Sequence, residues 1–322
     1  MTHVRFGILS TANIGVNKVI PAMQKGANCK VTAISSRNSR KAKEAANALG
    51  IPKSYSSYEE LLDDPDIDAV YNPLPNHLHV AWTLKALEAG KHVLCEKPIG
   101  LTAEEASDLI RGCKAYPNLK VMEAFMYRHH PRWQKAKELV ETGVIGKLNA
   151  VHTFFSYYNI DPEDIRNKPD IGGGGLMDVG CYCISSSRFL FGHEPDAAKG
   201  VLDLDPELGT DRLASGILRF GTGTATFTCS TQTEGAQYVK AFGTDGQFSL
   251  ETPFTPAPDQ KTSIEIWKNG ADEPERIHFE AVDQYTLQGE NFSRAILENL
   301  DVPTPLQDAE NNMKAIEMVR NS

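Results

Sequence analysis

A lysine closes the short apolar run His92-Val93-Leu94-Cys95, in the order Cys95-Glu96-Lys97-Pro98. Such a run reads as a buried parallel strand, and the C-terminal ends of such strands face the crevice where an open α/β sheet binds its ligand. An ammonium there is costly to desolvate unless it has a partner or a task. A strand-end lysine that simply reaches solvent would have the same sequence. A second candidate pair, Asp178 and Tyr182, stands four residues apart behind Gly172-Gly173-Gly174-Gly175. On a helix such residues share one face. A carboxylate can bind or orient a hydroxyl, and a phenol can exchange a proton with one. A free phenol, with a pKa of about 10, needs a cation beside it to do so at neutral pH. The same two positions also suit a helix N-terminal carboxylate and a packed aromatic. The glycine run reads as a flexible lead-in that allows close backbone approach.

A nucleotide turn is legible near the N-terminus. Gly7-Ile8-Leu9-Ser10-Thr11-Ala12-Asn13-Ile14-Gly15 joins a strand pattern to a helix pattern. The usual fingerprint wants glycine where this chain has Ser10, Ala12 and Gly15. Small side chains still let a pyrophosphate approach the helix N-terminus. The second strand ends in Ser35-Ser36-Arg37, with Arg40 and Lys41 close behind and no carboxylate. A hydroxyl and a guanidinium suit a 2′-phosphate, so NADP(H) is expected ahead of NAD(H).

The elements that position these residues alternate strand and helix from residue 1 to about 125. That pattern specifies a parallel, doubly wound sheet. Thr102 and Glu105 form a capping box at one helix start. Beyond residue 147 the character changes to strands at 148–158, 212–220, 223–232, 236–242, 246–251, 262–268 and 275–280, joined by polar turns. This is a mostly antiparallel sheet, preceded by a helix over 174–191 and followed by helices over 283–299 and 307–320. The expected division is 1–125 for dinucleotide binding and 126–322 for substrate binding and self-association. The last helix is expected to return to the sheet or to the first domain. The fold class is therefore α/β, with an α+β second domain.

With 33 basic against 42 acidic residues the chain carries a net charge of −9, which argues against a nucleic-acid binder. No apolar run is long enough to span a membrane, and Met1-Thr2-His3-Val4 runs directly into a strand. Cysteines at 29, 95, 113, 181, 183 and 229 show no paired metal spacing and read as reduced thiols in a cytoplasm. His77 with His79, and His129 with His130, do not put two imidazoles on one helix face, so no metal is expected.

Four blocks in order give the chain a resemblance to the glucose–fructose oxidoreductase / inositol dehydrogenase (Gfo/Idh/MocA) family. They are the Gly7–Gly15 turn, Asn72-Pro73-Leu74-Pro75-Asn76-His77-Leu78-His79, Gly90-Lys91-His92-Val93-Leu94-Cys95-Glu96-Lys97-Pro98, and Gly172 through Tyr182. The resemblance implies a Rossmann domain followed by an open, largely antiparallel sheet that makes a homodimer or homotetramer contact. It implies that Lys97 sits beside nicotinamide and substrate, and that the Asn72–Asn76 turn and Glu96 line the nicotinamide ribose. Many members carry Asp-x-x-x-His in the fourth block. Here the residues are Asp178 and Tyr182, which resembles the branch with NADP-dependent xylose dehydrogenase and dimeric dihydrodiol dehydrogenase.

The expected site follows. Tyr182 is the acid/base, Lys97 polarises the substrate oxygen, and Asp178 binds an adjacent hydroxyl. Cofactor contacts are expected from Gly7, Ser10, Thr11, Ala12, Asn13, Ile14, Ser36, Arg37, Asn72, Pro73, Leu74, Asn76, His79, Glu96, Lys97 and Arg166. Substrate contacts are expected from Lys97, Arg128, Tyr158, Asp178 and Tyr182. Arg128 and Arg166 fit a domain-interface ion pair equally well, and strand alternation alone does not say which of Phe154, Phe155, Tyr157 and Tyr158 face the site. The expected reaction is hydride transfer between NADP(H) and a sugar, polyol or cyclic diol. A ketose or anhydro-sugar reductase is the near alternative; a non-catalytic dinucleotide sensor and an NAD-dependent glycosidase are the alternatives of other classes.

Overall fold

The computed structural model describes residues 2–322. Its first sheet has six parallel strands, β1 (Val4–Leu9), β2 (Cys29–Ser35), β3 (Lys53–Tyr55), β4 (Ala69–Asn72), β5 (His92–Cys95) and β6 (Val121–Glu123). They lie in the order β3-β2-β1-β4-β5-β6. Every residue of β4 is buried, as are Val93, Leu94 and Cys95 of β5, because helices cover both faces of a parallel sheet. The order reverses between β1 and β4, the switch point at which such sheets bind nucleotides.

Local signals end the helices where the sequence places them. Gly50 adopts φ +65° just past the helix Ser39–Leu49, a left-handed conformation that costs glycine little. Thr102 Oγ1 accepts from Glu105 N–H at 3.1 Å, and the Glu105 carboxylate accepts from Leu101 N–H at 2.7 Å, closing the predicted box one residue early.

The second sheet holds β7 (Leu148–Tyr158), β8 (Ala197–Leu204), β9 (Asp211–Phe220), β10 (Gly223–Ser230), β11 (Gln232–Gly243), β12 (Gly246–Glu251), β13 (Thr262–Lys268) and β14 (Glu275–Phe279). The order is β14-β13-β12-β11-β7-β10-β9-β8. All pairings are antiparallel except β7 with β10. A π turn, Leu176–Gly180, and the helix Cys181–Phe191 pack on one face of this sheet.

Three elements lie outside the sequence expectation. β3 has only three residues, and β8 is largely exposed, so neither shows an apolar alternation. The helix Pro131–Glu141 buries Trp133, Ala136 and Leu139 at a spacing of three, a helical signal that was present to be read.

Two compact units result: residues 1–126 with 283–310, and residues 127–282 with 311–322. The segment 283–310, expected within 126–322, instead belongs with the parallel sheet. Its helix Gln284–Leu297 buries Phe292 completely, with the ring 6.3 Å from that of Phe6 on β1. Glu290 accepts from the Asn28 backbone and side chain at 2.8 and 2.7 Å. Replacing Phe292 by Ala leaves a cavity beneath β1 and should cost the first unit about 3–5 kcal/mol, read as a lower denaturation midpoint.

Candidate active site

At the C-terminal end of β1 the chain turns through Ser10, Thr11, Ala12, Asn13 and Ile14, all at least partly open to solvent, into a π turn over Gly15–Val19. Ser10 has φ +81°, the left-handed conformation for which the fingerprint normally supplies glycine. Its hydroxyl offsets part of that strain by accepting from Ala12 N–H at 3.3 Å. Gly7 does not belong to this turn. A Cβ there would meet Leu61 at 2.7 Å and Ile67 at 2.8 Å, so it is glycine for packing under the sheet. Beyond β2, Ser36 Oγ accepts from Asn38 N–H at 3.2 Å, which holds the start of the next helix. Arg37 is exposed, and its charge acts on the Tyr58 phenol. Burial pushes the Tyr58 phenol up and the arginine opposes it.

The Asn72–Asn76 turn is built from inside. Asn72 is fully buried; its amide donates to His79 O at 3.2 Å, and its Oδ1 accepts from Leu74 N–H at 3.3 Å. Leu74 is buried as well. His79 is also internal, with Nδ1 2.7 Å from Pro98 O and Nε2 2.6 Å from Leu74 O. Burial pushes its imidazole down to about 4, so the neutral ring donates to one carbonyl at a time. Asn72, Leu74 and His79, expected at the cofactor, therefore tie the turn to the segment after Lys97. That segment is held again by Glu123, which accepts from Ile99 N–H at 2.8 Å. Glu96 accepts from the Tyr71 hydroxyl at 2.6 Å, and its N–H donates to Asn72 O at 3.0 Å. Pro73 and Asn76 lie in the same turn, and Lys97 follows β5 directly. The first unit thus fixes the backbone on both sides of the lysine.

In the second unit Asp178 lies in the π turn and Tyr182 in the first turn of the following helix. π turns of this kind recur at functional sites. The Asp178 carboxylate accepts from the Tyr157 hydroxyl at 2.6 Å and from Arg166 Nε at 3.2 Å. Arg166 also pairs with Asp164 at 3.2 Å. The carboxylate of Asp178 pushes the Arg166 guanidinium up; burial, then Asp178, push the Tyr157 phenol up. Tyr157 is thus a donor that stays protonated. Tyr182 packs among Phe155, Phe254 and Tyr127, at ring separations of 5.6, 5.4 and 6.0 Å.

Alternation along β7 resolves the aromatic question. Phe155 and Tyr157 face the Asp178 helix. Phe154 stacks on Tyr238 on the opposite face, and Tyr158 is 64% exposed there. Tyr158, expected to bind substrate, points away from Asp178, and Tyr157 is the β7 tyrosine bonded to that carboxylate. Arg128 lies over the Phe189 ring at 4.5 Å and donates to the Tyr127 hydroxyl and Ser185 Oγ at 3.0 and 3.2 Å. Arg166, expected at the cofactor, is committed to Asp178 and Asp164. Among the described residues no group of His, Cys, Asp and Glu could hold a metal, and the six cysteines form no disulfide.

A family profile described as an oxidoreductase family with an NAD-binding Rossmann fold matches residues 4–125, and a GFO/IDH/MocA C-terminal domain matches residues 133–249. The chain belongs to the GFO/IDH/MocA oxidoreductase family. An uncharacterized oxidoreductase of Rhizobium meliloti is 44% identical, covering 100% of this chain and 97% of its own. A D-xylose 1-dehydrogenase (NADP(+)) of Haloferax volcanii is 40% identical, covering 90% and 88%. Among solved structures, the 3-ketoreductase KijD10 of Actinomadura kijaniata, in complex with NADP and TDP-benzene, matches with a TM-score of 0.93 at 28% identity, over 99% of this chain and 97% of that one. The chain is an oxidoreductase of a family whose named members act on sugars and diols. No helix among the described residues is long and apolar enough to cross a membrane.

Tyr157→Phe removes a half-buried donor from a carboxylate and should cost the second unit about 1–2 kcal/mol in thermal or urea unfolding. Tyr158→Phe, on the exposed face, should change it by less than about 0.5 kcal/mol.

Proposed function

We propose that this protein is an NADP(H)-dependent oxidoreductase that moves a hydride between the nicotinamide and a free sugar, polyol or cyclic diol. The observation that carries the substrate class is the Asp178 carboxylate, oriented by Tyr157 and Arg166 one turn before Tyr182 and its aromatic neighbours. A fixed acceptor beside aromatic faces suits a ring that is apolar on its faces and hydroxylated at its edge.

The first unit fits the cofactor. Its small, accessible turn over Ser10–Ile14 stands at the end of β1, and the exposed Arg37 follows β2 where a carboxylate would repel a 2′-phosphate. Ser10, Thr11, Ala12, Asn13 and Ile14 would hold the pyrophosphate. Ser36 and Arg37 would hold the 2′-phosphate; Pro73, Asn76 and Glu96 would border the ribose. The nicotinamide, when bound, supplies the hydride acceptor or donor. Lys97 donates a hydrogen bond to the substrate oxygen and stabilises negative charge there. Tyr182 exchanges the proton of that oxygen, and Asp178 accepts a neighbouring hydroxyl, which fixes which carbon reacts.

The xylose dehydrogenase relative supports oxidation of an aldose at its anomeric carbon, giving a lactone. The nucleotide-sugar 3-ketoreductase relatives support a second reading, reduction of a keto-sugar. Asp161, Glu163, Asp164 and Asp170 surround Arg166 in sequence, and Asp164 pairs with it directly, which disfavours a diphosphate there. Self-association through the second sheet and a cytoplasmic setting belong to this reading as well.

A panel of aldoses, inositols, anhydro-sugars and cyclic diols, followed by absorbance of the reduced nicotinamide with NADP and NAD in parallel, tests the proposal. NADP-dependent turnover of a free sugar or diol is expected. Turnover of dTDP-linked keto-sugars alone would replace it with the second reading. Arg37→Ala should raise the KM for NADP by roughly 10- to 100-fold, the loss of one or two charge-assisted bonds, and leave that for NAD nearly unchanged. Equal losses with both would remove the basis for the 2′-phosphate assignment.

A further inference from the structure

The glycine run before Asp178 is held, not loose. Gly174 N–H donates to Arg166 O at 2.8 Å, and Gly173 N–H donates to Lys168 O at 3.0 Å. A Cβ on Gly173 would lie 2.6 Å from Arg166 O and 2.7 Å from Lys168 O. Gly174 has φ +112°, and a Cβ there would collide with Asp211 Oδ1. A Cβ on Gly175 would lie 3.4 Å from Asp211 Oδ2. Gly174 therefore makes room for the Asp211 carboxylate, while Gly175 lies closest to the backbone carbonyl of the same residue, 3.2 Å from where its Cβ would be.

Asp211 is the first residue of β9 and is only 8% exposed. Its Oδ2 accepts from Leu176 N–H at 2.6 Å. Leu176 opens the continuous helical segment that carries Asp178 and Tyr182. An anion here meets the orphan N–H groups and the positive end of the helix dipole. Burial nevertheless dominates and pushes the carboxyl up to about 6. The ionisable groups whose fields reach it are the Arg320 guanidinium, which favours the anion, and the Cys229 thiol, which burial keeps protonated.

The sign of this shift matters. A folded value near 6 above an ordinary 3.8 means that the group favours the folded state at low pH, and that this contribution is lost as pH rises through about 6. At neutral pH the ionised Asp211 is carried at a cost, although asparagine caps helices as well.

We infer that Asp211 is a positioning residue of the active site: its carboxylate fixes the first turn of the helix, so that Asp178 stays on Tyr157 and Arg166 with Tyr182 set one turn beyond. The kinetic part of this inference rests on the proposed oxidoreductase activity; the structural part does not.

The test compares wild type with Asp211→Asn. At pH 7.5 the variant should unfold at the same temperature as wild type or a higher one, and bind NADP(H) equally well. Amide hydrogen exchange in 174–180 should be faster, while that of β9 and β10 stays unchanged. With an active sugar or diol, kcat should fall by about 10- to 100-fold, the scale of a small misplacement of reacting groups. The fall in wild-type activity below about pH 6 should be absent in the variant, whose amide does not titrate. Wild-type exchange in 174–180 would overturn the inference. So would a lower unfolding temperature with faster exchange throughout the sheet, which marks a merely structural residue. If wild type turns over nothing in the panel, the functional proposal fails and the exchange comparison alone decides the role of Asp211.

Discussion

The Asp178 carboxylate and the two donors that hold it are the constraint on which the second unit depends. Tyr157 comes from β7, Arg166 from the segment after it, and Asp178 from the π turn, so one hydrogen-bonded group ties three stretches of chain together. A half-buried carboxylate without such partners would be expensive. With them it becomes a fixed acceptor. Gly173 and Gly174 sit where the chain is most tightly enclosed. There the chain passes between the Arg166 carbonyl, 2.6 Å from where a Cβ on Gly173 would be, and the Asp211 carboxylate, which a Cβ on Gly174 would meet.

In the first unit a lysine follows the end of a buried strand. β5 delivers Lys97 to the C-terminal edge of the sheet, and the surrounding backbone is fixed by groups that never reach that edge. His79 bridges Leu74 O and Pro98 O, Glu123 takes the Ile99 amide, and Asn72 braces its own turn. Residues that look like ligands in the motif are in part its internal struts. A buried polar group must spend its hydrogen bonds inside the protein, and a motif does not reveal on what.

What was legible in the sequence follows the range of the interaction. The parallel sheet and the caps at Gly50 and Thr102 rest on local patterns and could be read directly, whereas Lys97, Asp178 and Tyr182 stood out by residue type and spacing together with the family resemblance. Tyr157 could not be separated from Tyr158, because strand alternation gives the parity of neighbours but not which face is inward. Asp211 was silent: it lies 35 residues beyond Leu176, and only the fold brings its carboxylate to that amide. The helix over 284–297 showed its apolar face, but its partner Phe6 lies at the other end of the chain. Gly7 was read as part of the nucleotide turn because it begins the motif, whereas its missing side chain serves Leu61 and Ile67.

The most direct measurement is single-turnover hydride transfer, from a free sugar or diol to bound NADP, in wild type and in Tyr182→Phe across a range of pH. Phenylalanine keeps the ring packing against Phe155 and Phe254 and removes only the hydroxyl. If Tyr182 exchanges the substrate proton, the transfer rate falls by about 10²- to 10⁴-fold with substrate affinity nearly intact, and the alkaline dependence of wild type is lost. Transfer at the wild-type rate with an unchanged pH dependence would contradict the assignment and leave Tyr182 a packed aromatic.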